Sequence, residues 1–265
     1  MKLDIGGRVA LVTGGDGGMG RVVAGMLLDE GVSVAISDKS ATSLARTVKT
    51  LEDKGTIIGI PADVTDVADV KRLFVKVRKQ LGDPDIVVNM AGVTGATGDF
   101  LEVDDHGWLQ TLDINLMGAV RVCREAIPAM RAQQWGRIVL IGSEDGAQPY
   151  TDELPYCASK AGIINLGKGL SKAYGADNVL VNVVSPAFIA TPMTDKMMKK
   201  RAKEKRTSFD KAIETFLEEE RPGMVLQRRG KPEEVAAMIL FLCSERSSFV
   251  TGSNMRVDSG SVQTV

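Results

Sequence analysis

Short runs of β-branched and aliphatic residues alternate along the chain with longer stretches whose apolar positions recur about every 3.6 residues. Seven segments read as strands: Arg8–Thr13, Val32–Ser37, Thr56–Pro61, Asp85–Asn89, Arg137–Gly142, Leu180–Val184 and Ser253–Val257. Several are nearly continuous Val, Ile and Leu, which suits parallel strands covered on both faces. Between them the spacing is helical. In Val67–Leu81 the residues Val67, Val70, Leu73, Phe74 and Val77 form one stripe, and Asp66 stands where a cap belongs. Repeated strand–helix units with short connections predict an α/β fold, a doubly wound sheet of seven parallel strands with helices on both faces.

One stretch breaks the rhythm. Residues Pro192–Gly230 contain no strand, lie between the sixth and seventh strand candidates, and read as a helical insertion. Its first half, Lys196–Arg206, holds seven Lys or Arg and one Glu; its second half is an amphipathic helix with Phe209, Ile213, Phe216 and Leu217 on one side, ending in Glu218-Glu219-Glu220. A long excursion of this kind in a compact domain is usually functional, and a lid is the expected form.

Composition narrows the function. With 265 residues, 44% of them apolar and 25% charged, the chain is expected to fold as one domain, 1–265, without a disulfide or metal staple. The net charge of −1 excludes a nucleic-acid binder driven by bulk charge. His106 is the one histidine, so a multi-histidine metal site is excluded and a Ser-His-Asp triad has a single possible base. Cys123, Cys157 and Cys243 form no C-x-x-C pair and read as reduced thiols. The apolar stretch Ala236–Cys243 falls far short of the ~20 residues that span a bilayer. The first residues lack a signal peptide's apolar core, so a soluble cytoplasmic protein is expected.

The first strand runs into Thr13-Gly14-Gly15-Asp16-Gly17-Gly18-Met19-Gly20 and then a helix. Glycines there let backbone N–H groups approach a pyrophosphate held by the helix N-terminus, although the same turn without a ligand remains open. Strand two ends at Asp38, eighteen residues beyond Gly20, where a carboxylate accepts both hydroxyls of an adenosine ribose. Asp38 equally suits a cap for the helix that follows. As a ribose ligand it repels a 2′-phosphate, and Asp16 adds to that repulsion, so the cofactor expected is NAD rather than NADP.

Tyr156 and Lys160 are four apart in a helical pattern and share a face. A tyrosine titrates near pH 10, and an ammonium within ~5 Å lowers that value. Ser143 follows the fifth strand directly, at the carboxyl edge where α/β proteins bind ligands, and can donate to a substrate oxygen that gains charge. An isolated Tyr-x-x-x-Lys is as readily a surface helix pair.

Taken together, the Thr13-Gly14-x-x-x-Gly18-x-Gly20 turn, Asp63-Val64, Asn89-Met90-Ala91-Gly92, Asn115, Ser143, Tyr156, Lys160 and Ser185-Pro186 through Thr191 resemble the short-chain dehydrogenase/reductase family over nearly the whole chain. The resemblance implies a Rossmann-type fold and an oxidoreductase that interconverts a secondary alcohol and a ketone with NAD. It makes Tyr156 the general acid/base and has Ser143 polarise the carbonyl. Lys160 tunes Tyr156 and holds the nicotinamide ribose, and Asn115 supports a proton-relaying water chain. Gly14, Asp16, Gly18, Met19, Gly20 and Asp38 would hold the dinucleotide; Asp63 and Val64 would frame the adenine. Asn89 and Gly92 would line the cleft, with Pro186, Ile189 and Thr191 around the carboxamide. It also implies a homotetramer. Met90 departs from the family's usual second Asn and Ala187 from its usual Gly.

By the same resemblance the substrate pocket is built from Val93–Asp104, Glu144–Pro155 and the insertion. Glu144, Asp145, Asp152 and Glu153 disfavour a bare anion near the reacting carbon. The basic run either greets the phosphates of a thioester carrier or is a solvated helix face; His106 and Trp108 are expected to be structural or surface residues, and Met193, Met197 and Met198 to pack. The small-molecule substrate stays open between alcohol classes. No nucleic acid, membrane or metal is expected. Two other readings remain, an NADPH-dependent 3-oxoacyl-thioester reductase and a non-catalytic dinucleotide-binding regulator.

Overall fold

The computed structural model describes residues 2–264. Its strands are β1 (Val9–Thr13), β2 (Ser33–Asp38), β3 (Ile57–Pro61), β4 (Ile86–Asn89), β5 (Gly136–Ile141), β6 (Val179–Pro186) and β7 (Asn254–Val257). They form one seven-stranded parallel sheet in the order β3-β2-β1-β4-β5-β6-β7. Each starts within one residue of its expected start, and β6 runs two residues further than expected, to Pro186, where it pairs with Val257.

The helices are α1 (Gly18–Asp29), α2 (Ala41–Leu51), α3 (Val67–Gln80), α4 (Asp105–Leu112), α5 (Gly118–Gln133), α6 (Leu154–Tyr174), α7 (Pro192–Glu204), α8 (Phe209–Glu220) and α9 (Pro232–Cys243). Asp66 caps α3 as expected, accepting from the N–H groups of Ala68 (2.7 Å) and Asp69 (3.2 Å). The strand pleat divides the apolar residues between two cores. Ala10, Val12, Val34, Ile36 and Val88 face the core filled by Val23 and Leu27 of α1 and Ile239 of α9. Val9, Leu11, Ala35 and Val87 face the other, with Phe74 of α3, Val122 of α5 and Ile163 of α6. Burial on both faces is why these strands read as unbroken aliphatic runs. The strand order reverses at β1, whose neighbours are β2 and β4, so a crevice opens at the carboxyl ends of β1 and β4.

The insertion is helical, as expected, and carries a small core of its own. Phe188, Met198, Phe216, Leu217 and Met224 are buried together, with the Phe188 and Phe216 rings 4.8 Å apart. Thr191 and Thr194 form a capping box at the start of α7, and Pro192 follows the cap. The basic run folds back on the acidic end of α8. Arg201 reaches Glu219 at 2.6 Å and Glu220 at 3.4 Å, and Lys205 pairs with Glu219. Arg201 and Lys205 are thus engaged within the insertion.

At the opposite end of the sheet, Trp135 lies between two guanidinium groups, Arg8 at 3.8 Å and Arg137 at 4.4 Å from ring centroids. Glu245 accepts from the Trp135 indole N–H (2.7 Å) and from Arg137 (3.3 Å), whose side chain is 1% exposed. Burial already depresses the Arg137 pKa. Glu245→Ala is expected to lower stability by about 1–3 kcal/mol in urea unfolding, because it strands a buried cation; Glu245 is part-exposed, which keeps the figure below a fully buried pair. A loss under ~0.5 kcal/mol would show that water replaces the carboxylate.

Candidate active site

β1 delivers the chain into a turn at Gly14, whose φ is +67°. A Cβ there would sit 2.9 Å from the Met90 carbonyl and the Ala91 nitrogen, and one on Gly20 would collide with the Gly14 carbonyl. Only bare backbone closes this tightly. α1 then begins behind Gly17, and no side chain caps its first N–H groups. The turn is held from β4: the Thr13 hydroxyl donates to Asn89 Oδ1 (3.1 Å) and accepts from the N–H groups of Met90 and Ala91 (3.2 Å each). Asn89 thus braces the cleft from behind.

The cleft measures about 450 Å³, with Gly14, Asp16, Asp38, Val64, Gly92 and Thr191 in its wall. Gly18, Met19 and Gly20 line it too. This backbone cradle with a free helix N-terminus fits the pyrophosphate of a dinucleotide. Asp38 does not cap α2; Ser40 does, accepting from the Ser43 N–H (3.2 Å). Asp38 instead accepts from the Lys39 N–H (2.7 Å). Burial and the neighbouring Asp16 carboxyl push the Asp38 pKa up to about 6. Asp63 lies to one side, paired with the Lys39 ammonium at 2.9 Å. Pro186 lies in the sheet and Ile189 in the apolar core, 3% exposed, so of the final segment Thr191 is the residue that reaches the cleft.

Lys160 joins α6 to the sheet. Its buried Nζ donates to the Ile141 carbonyl (2.8 Å) and lies 5.4 Å from the Tyr156 ring centroid. Burial lowers its pKa to about 8, against the opposing pull of Asp145. Asn115 sits in a π-helical turn, Asp113–Met117, between α4 and α5. Its Nδ2 donates to the Val93 carbonyl (2.9 Å) and to Ser159 Oγ (3.0 Å), and its Oδ1 accepts from the Val93 N–H (2.9 Å). A Cβ on Gly92 would stand 3.2 Å from Asn115 Oδ1 and 3.7 Å from Lys160 Nζ. Gly92 is therefore what lets these two polar groups approach.

Ser143 follows β5 and shares a cavity wall with Tyr156. The pattern Tyr-x-x-x-Lys led us to expect an acidified phenol. The structure corrects this: burial first, and then the Asp145 and Glu153 carboxylates, push Tyr156 above its usual pKa of 10.0. Lys160 is itself deeply buried, and it is the nearby carboxylates that dominate the charge around the phenol.

A second cavity of about 780 Å³ adjoins the first, walled by Ser143, Asp145, Glu153, Tyr156, Phe188 and Met193. Met193 lines both cavities, whereas Met198 is fully buried. Ala187 also lines the second cavity with its N–H bonded to Val257 (3.3 Å) and an ordinary negative φ, so its Cβ is accommodated without strain.

Over residues 14–262 the chain matches the family model described as enoyl-(acyl carrier protein) reductase. The chain belongs to the short-chain dehydrogenase/reductase family. It is 35% identical over 263 residues to the 3-oxoacyl-[acyl-carrier-protein] reductase FabG of Thermotoga maritima, covering 99% of this chain and 100% of the relative. It is 32% identical over 265 residues to the uncharacterized oxidoreductase YvrD of Bacillus subtilis, covering all of both. Among solved structures, L-sorbose reductase from Gluconobacter frateurii, complexed with NADPH and L-sorbose, superposes with a TM-score of 0.94 at 30% identity, covering 100% of both chains. The chain is thus an oxidoreductase of the family, with a site for a nicotinamide dinucleotide.

Sequence reasoning missed the partners of the acidic cluster. Ser143 Oγ donates to Asp145 Oδ1 (2.7 Å), and Glu144 pairs with Arg221 (3.2 Å), whose guanidinium stacks 3.5 Å from the Tyr150 ring. The carboxylates are visible in the sequence; Arg221 lies 77 residues from Glu144, and nothing local announces it. His106 is exposed on α4, apart from both cavities, while Trp108 packs edge-on to Phe100 at 6.5 Å. All three cysteines are free and buried. Among the described residues there is no cluster of three or more metal-ligating side chains, and no helix is long and apolar enough to cross a membrane.

Proposed function

We propose that this chain interconverts a secondary alcohol and a ketone by hydride transfer with NAD, using Tyr156 as the general acid/base. The observation that carries this reading is that Ser143 and Tyr156 share the wall of the second cavity, next to the glycine-lined cleft, with the Lys160 ammonium 5.4 Å from the Tyr156 ring centroid. The dinucleotide supplies or accepts the hydride when bound. The chain's own residues do the rest. Gly14, Gly18 and Gly20 clear a path for the pyrophosphate, and Asp38 takes the adenosine ribose. Ser143 orients the substrate oxygen. Tyr156 gives that oxygen a proton in reduction and removes one in oxidation. The bonds of Asn115 to Val93 and Ser159 hold the entry of α5 beside Lys160. The whole chain acts as one catalytic domain with α7 and α8 as a lid over the substrate, working as a homotetramer in the cytoplasm.

Two carboxyl groups, Asp16 and Asp38, crowd the ribose end and disfavour a 2′-phosphate. Asp38→Ala is expected to lower kcat/KM for NAD about tenfold and to raise that for NADP by a similar factor. Initial rates with both cofactors check this; equal losses with both would remove Asp38 from the choice. Because the Asp38 carboxyl is raised to about 6, wild-type affinity for NAD is expected to fall as the pH drops through that value.

A second reading, an NADPH-dependent 3-oxoacyl-thioester reductase, draws on Lys39, whose ammonium stands beside Asp38 and could leave Asp63 for a 2′-phosphate. The FabG relative agrees with it. Turnover of a 3-oxoacyl thioester faster with NADPH than with NADH would establish this reading. A regulator without catalysis would bind cofactor yet turn over none of a broad panel of alcohols.

A further inference from the structure

Ser143 has to donate a hydrogen bond to a ketone oxygen if it is to polarise it. In this structure its hydrogen is directed elsewhere. Oγ donates to Asp145 Oδ1 at 2.7 Å and accepts from the Asp145 N–H at 3.4 Å. Asp145 is 6% exposed and lies in the wall of the substrate cavity. Behind it stands Glu153, within hydrogen-bond reach of the Asp145 carboxyl and in the same wall.

We propose that the Asp145–Glu153 carboxyl pair is a positioning device that sets the direction of the Ser143 hydroxyl, freeing it for a ketone when the pair holds a proton. This rests on the alcohol–ketone reading of the site. With the proton on Asp145, its O–H donates to Ser143 Oγ, and Ser143 turns its own hydrogen to the substrate oxygen. The move from Glu153 breaks one carboxyl O–H and forms another on Asp145, so the pair's net charge is unchanged. With both carboxyls ionised, Ser143 donates to Asp145 and can only accept, which suits an alcohol O–H and not a ketone.

The surroundings favour a shared proton at neutral pH. Burial and the facing Asp145 carboxylate, with Asp152 behind, push Glu153 up to about 7. The neighbour on Asp145's own turn is Glu144, which Arg221 of the segment after α8 engages. From α6 the pair meets Tyr156, Cys157 and Lys160. From α7, Lys196 and Lys200 reach the same cavity wall but are exposed. Arg221 draws Glu153 down less than burial and the carboxylates push it up.

The test compares pH profiles of wild type, Asp145→Asn and Glu153→Gln. The probes are ethyl acetoacetate for reduction and ethyl 3-hydroxybutyrate for oxidation. In wild type, kcat/KM for reduction is expected to fall about tenfold per pH unit above neutrality, whereas oxidation lacks that loss. Asp145→Asn, whose amide donates to Ser143 at every pH, is expected to abolish the fall. Glu153→Gln shifts it by a unit or more. A purely structural Asp145 would lower the rates and leave the shape unaltered, and that outcome overturns the proposal. A second measurement needs no turnover: with cofactor bound at pH 7, the infrared band of protonated carboxyls is expected to be stronger in wild type than in Glu153→Gln, the remainder coming from Asp38 and Glu144. Bands of equal strength also overturn the proposal. Failure of the parent reading looks different, since wild type and Tyr156→Phe would then be equally inert toward both probes.

Discussion

Tyr156→Phe is expected to lose about 10²–10⁴-fold in kcat while binding the dinucleotide within about threefold of wild type. The substitution deletes one oxygen and keeps the ring, so packing around α6 is preserved. The residues proposed to hold the cofactor, Gly14 through Gly20 and Asp38, lie in the turn after β1, the start of α1 and the end of β2, and the Tyr156 side chain lines the other cavity. What disappears is the hydroxyl proposed to move a proton to or from the substrate oxygen. Steady-state rates followed by reduced-nicotinamide absorbance, together with a fluorescence titration of cofactor, separate the two effects. A variant as fast as wild type would place the acid/base elsewhere. The pH profile adds a sign. Burial and two carboxylates push the Tyr156 phenol above its usual range, so oxidation, which needs the phenolate, is expected to rise with pH well into the alkaline range. Reduction needs the protonated phenol and gains nothing there. A cationic nicotinamide beside the phenol moves the oxidation limb toward neutrality.

What the sequence revealed and what it hid have physical reasons. The sheet was legible because parallel strands buried on both faces leave little besides Val, Ile and Leu, as in β1 and β4. The glycine turn was legible because contacts at Gly14 and Gly20 exclude a Cβ. Ser143, Tyr156 and Lys160 carry their spacing on their sleeves, two on one helix and one at a strand end. Protonation was not legible. It depends on how deeply Lys160 is buried and on which way Asp145 and Glu153 face, properties of the assembled cavity. The π-helical turn at Asn115 was hidden as well, since its extra residue looks like ordinary helix in the pattern around it. Ion pairs across the insertion, such as Arg201 with Glu219, needed the fold-back of α8 on α7 to exist before they could be named.

Lys160→Met is expected to abolish most of the activity, by about 10²–10⁴-fold, and yet to stabilise the protein without ligand at neutral pH. The ammonium is buried, and its pKa falls from 10.5 to about 8. That difference corresponds to about 3 kcal/mol of destabilisation while both the folded and unfolded states are protonated. Methionine fills much of the same volume and removes the charge, but it orphans the Ile141 carbonyl that Lys160 now satisfies, which costs about 1 kcal/mol. A net gain of about 1–2 kcal/mol remains, or a rise in Tm of about 2–6 °C for a domain of this size. The pH dependence identifies the cause. Folding releases the lysine's proton between about 8 and 10.5, so wild-type stability recovers as the pH climbs through that window, and the variant's advantage shrinks until it is gone. A variant less stable than wild type at pH 7 would mean that the ammonium, even without cofactor, gains more from Asp145 and Ile141 than burial takes away. A gain that persists unchanged above pH 10.5 would point to packing instead of charge. If the lysine that weakens the ligand-free fold also meets the ribose, as the proposed function requires, saturating cofactor is expected to raise wild-type Tm more than it raises that of the variant.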